Sequence, residues 1–60
     1  MKQYKATIEI YYGNGQSTDK DYIVEAGTKK HAYTRALAEV NQDQSLTPYY
    51  KKVKSIEEVA

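Results

Sequence analysis

Sixty residues make a single domain, 1–60, with a thin core, because a chain of this size buries only about 60 % of the surface it exposes when unfolded. Nine Lys/Arg against eight Asp/Glu leave a formal net charge of +1, which excludes the basic excess of a dedicated duplex-DNA binder and the acidic excess of a DNA mimic. With no cysteine, neither disulfides nor thiolate metal sites staple the fold, so pairing with a second chain, a homodimer included, is an expected source of stability.

The N-terminal MKQYKATIEI is charged and has no long apolar run, so no secretory signal is expected. Apolar runs elsewhere are too short for a transmembrane helix. The expectation is a cytoplasmic protein without a membrane partner. Seven tyrosines stand beside no Phe and no Trp. Tyrosine joins an apolar body to a polar tip and suits half-wet surfaces and interfaces.

Residues 3–12 alternate. Tyr4, Ala6, Ile8, Ile10 and Tyr12 fall on one face, with Lys5, Thr7, Glu9 and Tyr11 on the other, the pattern of a half-buried strand. Gly13-Asn14-Gly15 follows. It lacks the spacing and lysine of a phosphate-binding loop and is flanked by two strands, so it reads as a hairpin bend. Residues 20–26 form the second strand, with Tyr22, Val24 and Ala26 turned inward.

Opposed residues in an antiparallel pair share a face and have numbers of constant sum. Even-numbered inward positions on both strands demand an even sum. A two-residue Asn14-Gly15 turn, the type I′ signal, would oppose Gly13 and Gln16, an odd sum that sets Ile8 and Ile10 against Asp21 and Asp19. A longer loop or a bulge is therefore expected. One even register opposes Ile8 and Tyr22 but also Glu9 and Asp21, a like-charge pair. The register opposing Ile10 and Tyr22, Ile8 and Val24, and Ala6 and Ala26 avoids that pair and leaves 13–19 as the loop.

Residues 28–41 read as a helix. Thr28 is the N-cap, and Ala32, Tyr33, Ala36, Leu37 and Val40 form an apolar stripe. Asn41 suits a left-handed C-terminal position. Residues 42–48 are a polar connection, in which Pro48 bars helix. Residues 49–57 form the third strand. Its Val53, Ile56 and Val59 recur at intervals of three, which a bulge near Ser55 reconciles with extended structure. The fold class is α+β, topology ββαβ: a three-stranded antiparallel sheet of order 2-1-3 with one helix packed on one face.

The run YKATIEIYY, polar hairpin, YIVEAGTKKHAYTRALAEVN and YYKKVKSIEEV resembles small phage and prophage proteins of strand-strand-helix-strand type. More loosely, it is similar to the archaeal LX-type ribosomal proteins, which bind ribosomal RNA. The resemblance implies origin and fold type rather than an activity.

No catalytic set is expected. The single histidine has no nucleophile–base–orienter company, and Glu57 and Glu58 are adjacent and point apart on a strand. Nor are a metal site, a cofactor or a small-molecule substrate expected in so short a chain. Three surfaces remain. The sheet face away from the helix carries Lys5, Thr7, Glu9, Tyr11, Ile23 and Glu25, suited to a protein interface. Thr28, Lys29, Lys30 and His31 at the helix start, with Lys51, Lys52 and Lys54 on the third strand, are anion or nucleic-acid candidates. Finally, both outer strands offer an edge. Lysines guard the third, so the second is the expected joiner. The function expected is a non-enzymatic, phage- or prophage-encoded protein-binding module in the host cytoplasm. It would dock by its open face or an edge strand onto itself or onto a host protein that it inhibits. The alternative is a nucleic-acid-binding module built on the lysines and exposed tyrosines.

Overall fold

The alternating ribbon of the N-terminal third becomes the central strand β1, Lys2–Gly13. Strands β2, Gln16–Ala26, and β3, Tyr50–Glu58, flank it. Both pair with it antiparallel, in the order β2-β1-β3. Helix α1, Lys29–Asn41, lies between β2 and β3 in the chain and packs on one face. The structure, a computed structural model, describes residues 1–59. It measures 38 × 18 × 14 Å, its long axis set by strands that rise about 3.3 Å per residue.

The hairpin departs from the expected register and keeps its parity. Gly13 opposes Gln16 across Asn14 and Gly15, whose φ values of 57° and 73° are the positive pair a type I′ turn requires. One residue, Tyr12, is then inserted between the pairs Tyr11–Ser17 and Gly13–Gln16. This bulge converts the odd sum at the turn into an even sum along the ladder. Ala6 therefore opposes Tyr22, Tyr4 opposes Val24, and Ile8 and Ile10 oppose Lys20 and Thr18. The loop placed at 13–19 shrinks to the turn, and β2 reaches back to Gln16. A tight turn keeps ladder bonds that a seven-residue loop would forfeit. Lys20 tolerates its place on the helix side because its head reaches Asp43 at 3.4 Å, while its stem can cover apolar surface.

On the other flank, Ile8 opposes Val53 and Thr7 opposes Ser55, so Lys54 is the extra residue of a second bulge. This is the irregularity expected near Ser55. It turns both Val53 and Ile56 to the helix side at a spacing of three.

Thr28 caps α1 from an extended backbone, its Oγ1 accepting the His31 amide at 3.2 Å. Ala32, Ala36 and Val40 are fully buried, Leu37 is half-buried, and Tyr33 is exposed. The stripe is thus narrower than expected, and its alanines bring the helix backbone close to the sheet. The helix does not end on a left-handed Asn41. That residue is helical, and Gln42 closes the helix at φ −79°, ψ −14°. The polar connection contributes Leu46 to the core, in a single 3-10 turn over Gln44–Leu46 started by Asp43, which accepts from the Ser45 amide. The rest of the core is Tyr4, Ala6, Ile8, Ile10, Val24 and Ala26 from the sheet. No helix is long and apolar enough to cross a membrane among the described residues.

Candidate functional site

The sheet face away from α1 carries all six residues read as interface candidates, Lys5, Thr7, Glu9, Tyr11, Ile23 and Glu25. The observed register joins Ser17, Asp19, Asp21, Tyr50 and Lys52 to them. Several of its polar groups are already used. Glu9 accepts the Tyr11 hydroxyl on Oε1 at 2.6 Å and the Ser17 hydroxyl on Oε2 at 2.9 Å. The Thr7 hydroxyl donates to Asp21 at 2.8 Å. Glu9 and Asp19, like charges directly opposed, are offset by Lys52 opposite Glu9 and by the Lys54 ammonium 3.1 Å from Asp19.

The hydroxyl bonds from Tyr11 and then Ser17 hold the Glu9 carboxyl below its ordinary value, and the Glu9 bond pushes the Tyr11 hydroxyl up. The depressed Glu9 value contributes stability that is present above the unfolded carboxyl value and is lost as pH falls through the folded one. The raised Tyr11 value contributes stability that is present below the unfolded phenol value and is lost as pH rises through the folded one. Tyr11→Phe is expected to move the Glu9 titration upward, read by NMR of the carboxyl carbon. An unmoved titration would show that the bond does not form in solution.

Two tyrosine doublets meet at the hairpin end. Tyr11 and Tyr50 lie 5.6 Å apart on the open face, and Tyr12 and Tyr49 meet edge-to-face at 4.7 Å on the other. Four of the tyrosines thus join the end of β1 to the start of β3 and the residue before it. The signal for this was in the sequence, as a YY pair ending the first strand and another starting the third.

The lysines do not gather. Lys29, Lys30 and His31 follow Ala26, at the sheet end where Ala26 opposes Lys2. Lys51 and Lys52 sit near the other end, opposite Ile10 and Glu9. Lys54 is paired with Asp19, and Thr28 already takes the His31 amide. No three His, Cys, Asp or Glu side chains that could hold a metal converge among the described residues.

The edges differ from the face. The Val59 amide donates to the Gln3 carbonyl at 2.9 Å, and antiparallel strands turn alternate residues to opposite neighbours. Open-face residues of β1 and β3 therefore bond each other, and helix-side residues of β1 bond β2. It follows that Lys51, Val53, Ile56 and Glu58 turn their backbone groups out of the β3 edge. Asp19, Asp21, Ile23 and Glu25 do the same on the β2 edge. Beside the β2 edge an open groove of about 490 Å³ is lined by Ile23, Val24 and Glu25 of β2 and by Arg35 and Glu39 of α1. Ile23 is 54 % exposed.

No protein-family model, curated protein or solved structure matches this chain.

Proposed function

We propose that this chain is a small non-enzymatic protein-binding module that acts by adding a strand of a partner protein to an edge of its sheet. The contrast between carboxylates engaged within the face and backbone groups left open at the edges supports this reading. Glu9, Asp19 and Asp21 are engaged within the face. The outer strands, of 11 and 9 residues, keep a row of outward N–H and C=O groups that meet no third strand among the described residues. Such rows template strand addition. The partner is a second copy of the chain or, in keeping with the phage-type pattern, a host protein that the module inhibits in the host cytoplasm.

The test uses proline at outward-facing positions, where no ladder bond is lost. Ile23→Pro blocks the β2 edge and Glu58→Pro the β3 edge. Complex formation, followed by sedimentation of the pure chain and by capture from host lysate, is expected to fall at least about 10-fold in one of the two variants. Tyr11→Ala on the face should leave it in place. The reading is overturned if no complex forms, or if complexes ignore both prolines and are lost with Tyr11→Ala. It is also overturned by a salt-sensitive oligonucleotide complex that disappears when Lys51 and Lys52 are neutralised.

A further inference from the structure

We infer that the β3 edge is a self-complementary interface and that its partner is β3 of a second copy, joined antiparallel about a two-fold axis between Lys54 and Ser55. The inference rests on the edge-docking reading and names its occupant.

Three features of β3 agree on this arrangement, the first and third both set by the bulge at Lys54. The first is backbone direction. The outward-facing residues are Lys51, Val53, Ile56 and Glu58, a set made symmetric by the bulge at Lys54. An axis through the bulge sets Lys51 against Glu58 and Val53 against Ile56, outward residue against outward residue, and no other axis matches all four. Each such pair exchanges two backbone hydrogen bonds.

The second feature is charge. The segment KKVKSIEE reads basic from one end and acidic from the other. The axis therefore opposes Lys51 to Glu58 on the helix side and Lys52 to Glu57 on the open side, twice each by symmetry. Opposite charges directly across a ladder stabilise it, and like charges destabilise it. The β2 edge has no such property. Its outward residues are Asp19, Asp21, Ile23 and Glu25, so a two-fold pairing of β2 with itself brings carboxylates together.

The third feature is sidedness. In a regular strand, pairing odd with even positions would oppose residues on different faces. Here the bulge shifts the parity midway, so Val53 and Ile56 both lie on the helix side and meet each other. Both are half-buried hydrophobics at the margin of the core, and α1 meets β2 more than β3. The second copy's β3 covers what α1 leaves open. The product is one continuous six-stranded sheet with both helices on one face, closed by the symmetry of the pair. Present contacts of the charged ends are weak competitors. Glu58 meets Lys2 at 3.5 Å with both side chains about half exposed, and such pairs contribute little. Among the described residues Lys51 reaches the Asn41 and Thr47 oxygens at 3.5 Å.

Two charge reversals test this by sedimentation equilibrium. Lys51→Glu alone opposes carboxylate to carboxylate at both symmetric positions, and Glu58→Lys alone opposes ammonium to ammonium. Each is expected to weaken the dimer about 10-fold or more. An equimolar mixture of the two variants restores both pairs, so heterodimer at the affinity of the parent is expected, and native mass spectrometry reads it directly. Three outcomes overturn the inference. They are a parent chain that stays monomeric at millimolar concentration, single variants that dimerise as the parent does, and a mixture that stays monomeric while each variant remains folded by circular dichroism. Assemblies that grow without closing would instead mean β2-to-β3 pairing, which also overturns it. A monomeric chain whose capture of another protein is lost with Ile23→Pro would sink this inference and leave the edge-docking reading standing.

Discussion

Ile8→Ala is expected to unfold most of the population at room temperature. Ile8 is fully buried in the central strand, opposed by Lys20 on one side and Val53 on the other. Removing its outer carbons loses their transfer energy and leaves a cavity, a combined cost of about 2–5 kcal/mol for Ile→Ala. A core of this size supplies no more than about 3–5 kcal/mol in total. The same truncation at Ile23, 54 % exposed on β2, should cost less than about 1 kcal/mol. Urea denaturation followed by circular dichroism compares the two. Equal losses at both positions would mean that the two faces of the sheet have been assigned wrongly.

Ala36→Leu should come next in severity, at about 1–3 kcal/mol. Ala36 is fully buried on α1 between Ala32 and Val40 on the stripe that meets the sheet. Extra carbons there push the helix away or force strained rotamers. Ala38, two residues on, is exposed, and Ala38→Leu should change stability by less than about 0.5 kcal/mol because Leu is nearly as good a helix former. A tolerated Leu at position 36 would show that the helix does not approach the sheet closely.

The architecture was legible where one rule acted alone. Period-two alternation in Tyr4, Ala6, Ile8 and Ile10 identified the central strand, and all four are buried. Thr28 was readable as a cap because a hydroxyl before a helical run has few other uses. The register was not legible, because two rules were in conflict and a third element resolved it. The Asn-Gly turn demanded one parity and the hydrophobic faces the other. The bulge at Tyr12 satisfied both, and nothing in a tyrosine doublet announces a bulge. The like-charge rule, applied to Glu9 and Asp21, rejects a register that the structure also lacks, but the observed ladder is neither of the two even registers considered. It opposes another like-charged pair, Glu9 and Asp19, which Lys52 and Lys54 from the third strand offset. Leu46 escaped because a lone leucine among polar residues carries no period.

The open face was legible in membership and not in state. Lys5, Thr7, Glu9, Tyr11, Ile23 and Glu25 follow from alternation. That Glu9 and Asp21 are hydrogen-bonded across strands depends on which residues of β2 stand opposite, and so on the register. Glu9, Asp19 and Asp21 are occupied within the face, whereas the outward backbone groups of β2 and β3 have no partner among the described residues.

Amide hydrogen exchange on the isolated, dilute chain tests this most directly, residue by residue along β2. Tyr22 and Val24, which turn toward β1, should exchange slowly, while Asp21 and Ile23, which turn outward, should exchange at rates near those of an unfolded chain. Protection of all four, or slow exchange at Asp21 and Ile23 with fast exchange at Tyr22 and Val24, would contradict an open β2 edge and the pairing from which it follows.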